Sequence, residues 1–121
     1  VIGIGVDLVE VERMRTTMAR TPTIVERIFT ADERAYADQA RDPAQRYAAR
    51  FAAKEAALKV LGVGVGAVDW HEIEVVRASS GAPELRVTGR ALELAVDAGI
   101  RVWKVSLTHT DTMAEAVVVG L

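Results

Sequence analysis

Glu55 and Lys59 stand four residues apart in Phe51-Ala52-Ala53-Lys54-Glu55-Ala56-Ala57-Leu58-Lys59, an alanine-rich stretch that otherwise reads as a buried helix. Residues at that spacing point the same way from a helix. A carboxylate beside an ammonium is a unit that can hold a metal and a phosphate together. The plain alternative is an exposed Glu–Lys helix pair worth roughly 0.2–0.5 kcal/mol, and spacing alone favours the plain one. Arg50 and Lys54 flank the pair as a positively charged rim, suited to phosphates and equally to simple solvation. Phe51 falls on the stripe of Glu55 and Lys59. Ala49, Ala53, Ala56 and Val60 fill other directions, and small residues let a neighbour pack tightly against the helix backbone.

Two further segments carry candidate groups. Asp7 follows Gly3-Ile4-Gly5-Val6 near the start. Aspartate there is a favoured helix cap; with Glu55 it would instead supply two hard oxygen ligands, leaving room for water and a substrate phosphate as magnesium prefers. The glycines match neither a P-loop nor a dinucleotide fingerprint. Ser106-Leu107-Thr108-His109 lies near the end. A lone histidine is more often structural than catalytic, and without a G-x-S-x-G elbow Ser106 and His109 do not specify a hydrolase triad. His71 reads as structural.

The elements that must position these groups follow from pattern. Ile2, Ile4, Val6 and Leu8 alternate with Gly3 and Gly5, which predicts a strand with one very thin face, open to close approach of a backbone or ligand. Residues 8–19 look helical, with Val11, Met14 and Met18 on one side, until Thr21-Pro22 interrupts. Ile24–Phe29 is a short apolar segment. Thr30-Ala31-Asp32-Glu33 is a capping box. Asp42-Pro43-Ala44-Gln45 is a second start signal, with Asp42 as the cap, and opens a main helix expected over 43–61, ended by Gly62. A hairpin is expected over about 70–87 with its turn at Ser79-Ser80-Gly81-Ala82-Pro83, then a helix over 89–98 and two strands over 102–107 and 114–119. This order predicts an α+β fold with a mostly antiparallel sheet packed on the long helix.

Bulk properties narrow the function. A chain of 121 residues fits one domain, spanning 1–121, and a core this small is often completed by oligomerisation. Half the residues are hydrophobic and the net charge is −2, which gives no support to a nucleic-acid binder. No cysteine is present, so disulfides and thiolate chemistry are excluded, and a metal site must use oxygen or imidazole. No apolar run predicts a membrane span and no signal peptide is visible; a cytoplasmic enzyme is expected. The chain begins at Val1 rather than Met, so an initiator residue or an upstream region is expected before it.

Taken together, the segments closely resemble the holo-acyl-carrier-protein synthase family of 4'-phosphopantetheinyl transferases. The resemblance is carried by Gly3-Ile4-Gly5-Val6-Asp7 with Glu10 and Arg13, by Glu26-Arg27-Ile28-Phe29-Thr30, and by Arg50-Phe51-Ala52-Ala53-Lys54-Glu55-Ala56 with Lys59. Asp69-Trp70-His71-Glu72-Ile73-Glu74-Val75, Gly81-Ala82-Pro83 and Val105-Ser106-Leu107-Thr108-His109 extend it over essentially the whole chain, in the family's order.

That resemblance implies transfer of the phosphopantetheine arm from coenzyme A to a serine of an acyl carrier protein, releasing adenosine 3',5'-bisphosphate. It assigns magnesium to Asp7 and Glu55 and the pyrophosphate to Lys59. It places Arg50, Lys54, Gly62, Pro83, Ser106 and His109 at coenzyme A, with His109 contacting phosphate or assisting proton transfer. An activated water or a carboxylate such as Asp111 is an equally open choice of base. It implies a homotrimer with coenzyme A in clefts between neighbouring subunits. Arg13, Met14, Arg20, Arg27 and Phe51 are the expected carrier-facing residues. Thr16, Thr17, Thr21 and Thr23 replace some of the charge that lysine-rich relatives carry there. Two other readings use the same residues: a magnesium-dependent nucleotide pyrophosphate hydrolase, and a carrier-binding module that has lost activity.

Overall fold

A computed structural model describes all 121 residues. The chain opens with strand β1 (Gly3–Glu10), followed by helices α1 (Val11–Arg20), α2 (Ile24–Ile28), α3 (Ala31–Asp38) and α4 (Pro43–Leu61). A 3-10 turn (Trp70–Glu72) leads into the hairpin β2 (Ile73–Arg77) and β3 (Pro83–Val87). Helix α5 (Gly89–Ala98) and strands β4 (Trp103–His109) and β5 (Met113–Gly120) complete it. β5 lies between β1 and β4 in an antiparallel three-stranded sheet, while β2 and β3 pair only with each other. This is the expected α+β arrangement, with the long helix against the sheet.

The contact between α4 and the sheet is made of small residues. Ala52, Ala53, Ala56 and Ala57 of α4 are fully buried, as are Ala114, Ala116 and Val118 of β5. Gly5 of β1 is the tightest point: a Cβ there would stand 2.0 Å from the carbonyl oxygen of Ala56. The thin face is therefore the inner one, and backbone lies on backbone. The apolar side chains point the other way. Ile4, Val6 and Leu8 are 67%, 50% and 58% exposed, and cross-strand pairing of Ile4 with Val119 and Val6 with Val117 extends an apolar outer face onto β5.

Two sequence expectations change. Residues 8–10 are strand, not helix: Leu8 and Glu10 continue the ladder opposite Glu115 and Met113, and this pairing outweighs the helical spacing that begins at Leu8. Asp42 precedes α4 but makes no cap hydrogen bond; its carboxylate instead accepts from Arg15 of α1 at 2.6 Å. The capping box at Thr30 and Glu33 forms as read. α4 ends as expected at Gly62, whose φ of 71° is a left-handed conformation that glycine adopts without strain.

Candidate active site

The thin inner face of β1 brings Asp7 onto α4. Asp7 is not a helix cap, since it sits within the strand opposite Ala116. Its side chain is 15% exposed, and its Oδ1 lies 3.1 Å from the Nζ of Lys59. Lys59 also donates to the carbonyl oxygen of Val6 at 2.8 Å. The ammonium thus pairs across the fold with Asp7 rather than along the helix with Glu55. The plain helix pair is not formed.

Glu55 lies one turn earlier on α4. Burial pushes its carboxyl up to about 7, and the neighbouring Asp7 adds to the rise, while Lys59 and Arg13 oppose it. Two carboxylates held together in a partly desolvated place favour sharing one proton. A divalent cation would relieve the same repulsion. The donor set is hard oxygen, and two carboxylates with open positions fit magnesium rather than zinc.

Beside these groups runs a cavity of about 590 Å³. Arg13 and Met14 of α1, Ile24 and Ile28 of α2, and Phe51 of α4 help line it together with Asp7 and Glu55. Phe51 packs on Trp70 with ring centroids 5.2 Å apart. Met14 is buried in its wall, whereas Arg13, Arg20 and Arg27 are exposed. Arg13 and apolar cavity walls therefore adjoin the carboxylates.

The remaining candidates gather elsewhere. Arg50, Pro83, Ser106 and His109 line a second cavity of about 370 Å³, which shares no lining residue with the first. Arg46, Arg50 and Arg77 surround the Tyr36 ring there, their guanidinium carbons 4.0, 4.3 and 4.6 Å from its centroid. Arg50 is 6% exposed and its Nε has no partner. An orphaned donor in a concentration of positive charge is a receptor for an anion. Tyr36, Arg46 and Arg77 escaped the sequence reading. Arg46, four residues before Arg50 on the same helix, was the one available signal. His109 is exposed, with Nδ1 3.3 Å from the carbonyl oxygen of Thr110; Asp111 is exposed too. Gly62 lies one turn beyond the Lys59 region, open to solvent.

Lys54 requires correction. It is not part of a charged rim. Its side chain is 0% exposed, and Nζ lies 2.8 Å from Glu33 Oε1. It also donates to the carbonyl oxygens of Ile73 at 2.6 Å and Trp70 at 3.1 Å. Burial lowers its affinity for the proton, and Glu33 opposes that. Adjacent residues on a helix face different directions, so Lys54 points into the fold while Glu55 faces the cavity. Glu33 serves three roles at once: it caps α3, pairs with Lys54 and accepts from the backbone N–H of Val75 at 2.9 Å.

Known proteins resemble this chain over nearly its whole length. Residues 3–112 match the model of the 4'-phosphopantetheinyl transferase superfamily. The chain is 49% identical to the holo-[acyl-carrier-protein] synthase of Frankia casuarinae over 99% of its own length and 97% of that protein. It is 42% identical to the synthase of Streptomyces avermitilis over the same shares. The crystal structure of the Neisseria meningitidis synthase superposes with a TM-score of 0.88 at 31% identity, covering 100% of this chain and 98% of that one. The Helicobacter pylori synthase in complex with coenzyme A superposes with a TM-score of 0.85 at 28% identity, covering 98% and 99%. The chain belongs to the 4'-phosphopantetheinyl transferase superfamily, among its holo-[acyl-carrier-protein] synthases.

Proposed function

We propose that Asp7, Glu55 and Lys59 form the centre at which this enzyme moves the 4'-phosphopantetheine arm from coenzyme A to a carrier serine, in one domain spanning the whole chain. The observation that carries this assignment is the cluster itself: two carboxylates lining one cavity, with an ammonium 3.1 Å from one of them. Asp7 and Glu55 hold magnesium. When bound, the ion supplies positive charge against phosphate oxygens. Glu55 must give up its proton for both carboxylates to act as ligands. Lys59 is 56% exposed on its side chain, so it is free to turn from Asp7 toward the pyrophosphate, where charge develops as the bond to the leaving phosphate breaks. The serine oxygen bonds to the phosphorus bearing the pantetheine arm, its proton passes to a base, and adenosine 3',5'-bisphosphate leaves.

The guanidinium cavity around Arg50 and His109 takes the remaining phosphate of the donor. Within one chain it is separate from the carboxylates. The apolar outer face of Ile4, Val6, Leu8, Val117 and Val119 supports association of copies, and the split site supports a donor cleft completed by a neighbour in a homotrimer. Arg13, Arg20 and Arg27, with Phe51, face the carrier, while Met14, expected there too, is buried in the core behind them; a local basic patch steers an acidic partner despite net charge −2. Incubation with coenzyme A, magnesium and apo-carrier, read by intact mass, tests the assignment. The carrier serine should gain the arm. Release of free phosphopantetheine with no change in carrier mass would indicate a hydrolase instead.

A further inference from the structure

Helix α2 is a five-residue element without a side-chain cap, and a helix so short has no stability of its own. Its inner side is held by the buried Ile28 and Phe29. Its outer side is tied by His71, whose Nε2 lies 2.7 Å from the carbonyl oxygen of Glu26. A carbonyl only accepts, so Nε2 carries a hydrogen and donates it. Asp69 orients the ring: its Oδ1 accepts from the backbone N–H of His71 at 2.8 Å and lies 3.3 Å from Nδ1. Glu72 anchors this turn in two directions. One carboxylate oxygen accepts from the N–H of Asp69 at 3.0 Å, and the other accepts from the N–H of Arg90 in α5 at 2.7 Å. A chain of hydrogen bonds therefore runs from α5 through Glu72, Asp69 and His71 to α2.

The tied carbonyl directly precedes Arg27, and Ile24 before it and Ile28 and Phe29 after it line the cavity of Asp7 and Glu55. Displacing α2 would shift a basic side chain and an apolar wall together. We propose that His71 is a positioning residue for the acceptor: it holds α2 where the carrier protein docks, without touching coenzyme A. This rests on the docking face assigned above. With 42% of its side chain exposed, His71 can be replaced without opening the core.

The test uses the full chain with coenzyme A, magnesium and apo-carrier. His71→Ala should raise the KM for the carrier roughly three- to tenfold, the effect of one lost hydrogen bond. Turnover and the KM for coenzyme A should stay within about twofold, less than one such bond. Amide exchange in residues 25–29 of the free enzyme should quicken. His71→Gln, which retains a donor, should restore both the carrier KM and the protection. An unchanged carrier KM in His71→Ala overturns the proposal, as does a coenzyme A KM that rises in step with it. Arg13→Glu is the control for the face: if Arg13→Glu raises the carrier KM and His71→Ala does not, the face stands and the tie is wrong. If neither raises it, the docking face is wrong and the role of His71 falls with it.

Discussion

Glu55→Gln should make the metal-free protein more stable at pH 8 and have little effect at pH 5. The carboxyl of Glu55 is raised from an ordinary 4.5 to about 7, first by burial and then by Asp7. The folded state therefore holds this proton more tightly than the unfolded chain does. The resulting stabilisation is complete below about 4.5 and is lost as pH rises through about 7. The gap corresponds to about 3 kcal/mol if unscreened; Glu55 is partly open to water, which reduces it to about 1–2 kcal/mol. Glutamine is neutral at every pH and mimics the protonated form. Urea unfolding in the presence of a chelator, at pH 5 and pH 8, measures the difference. Wild type should weaken by about 1–2 kcal/mol relative to Glu55→Gln between the two. Magnesium should restore the wild type at pH 8 and have less effect on the variant. A stability difference that does not vary between pH 5 and pH 8 would refute the assignment of the strained carboxyl to Glu55.

Three further outcomes follow from the geometry. Lys54→Met should destabilise by about 3–5 kcal/mol, because it leaves Glu33 as an unpaired buried charge. Adding Glu33→Gln should recover part of that in chemical denaturation, and a KM for coenzyme A that rises out of proportion to stability would return Lys54 to the donor site. Lys59→Met should leave stability within about 1 kcal/mol, as expected for a pair whose ammonium is exposed to water, yet slow turnover at saturating substrates at least roughly tenfold, the scale of a lost transition-state charge; unchanged turnover rules that role out. Arg13→Glu should raise the carrier KM and flatten its salt dependence while the coenzyme A KM holds, and damage to coenzyme A binding alone would move the docking face elsewhere.

The long helix and the glycine strand were legible because their signals are local: alanines and Gly62 for α4, alternation for β1. The conjunction of Asp7, Glu55 and Lys59 was legible through resemblance, yet their pairing was not, since Lys59 reaches Asp7 across 52 positions. Lys54 misled because its charge predicts exposure, and its partner Glu33 is recruited from another helix. Asp42 carries a cap signal but is taken by Arg15. Tyr36 and its three arginines come together from α3, α4 and β2, which no spacing rule connects. His71 had no local pattern to indicate that it holds the carbonyl of Glu26.

The seat of Gly5 against Ala56 also acts as a reading-frame check on strand pairing. A sheet held by interlocking side chains can slip and repack. Here a slip of β1 by one residue would bring Ile4 or Val6 onto the carbonyl of Ala56, where even a Cβ at Gly5 would stand 2.0 Å away. No repacking of neighbours opens that space, because the obstacle is helix backbone. The misaligned pairing is excluded sterically rather than merely disfavoured. Asp7, two residues further along the same face, is therefore kept on the helix side of the sheet, where it meets Lys59, and cannot be turned to the outer face by a one-residue slip.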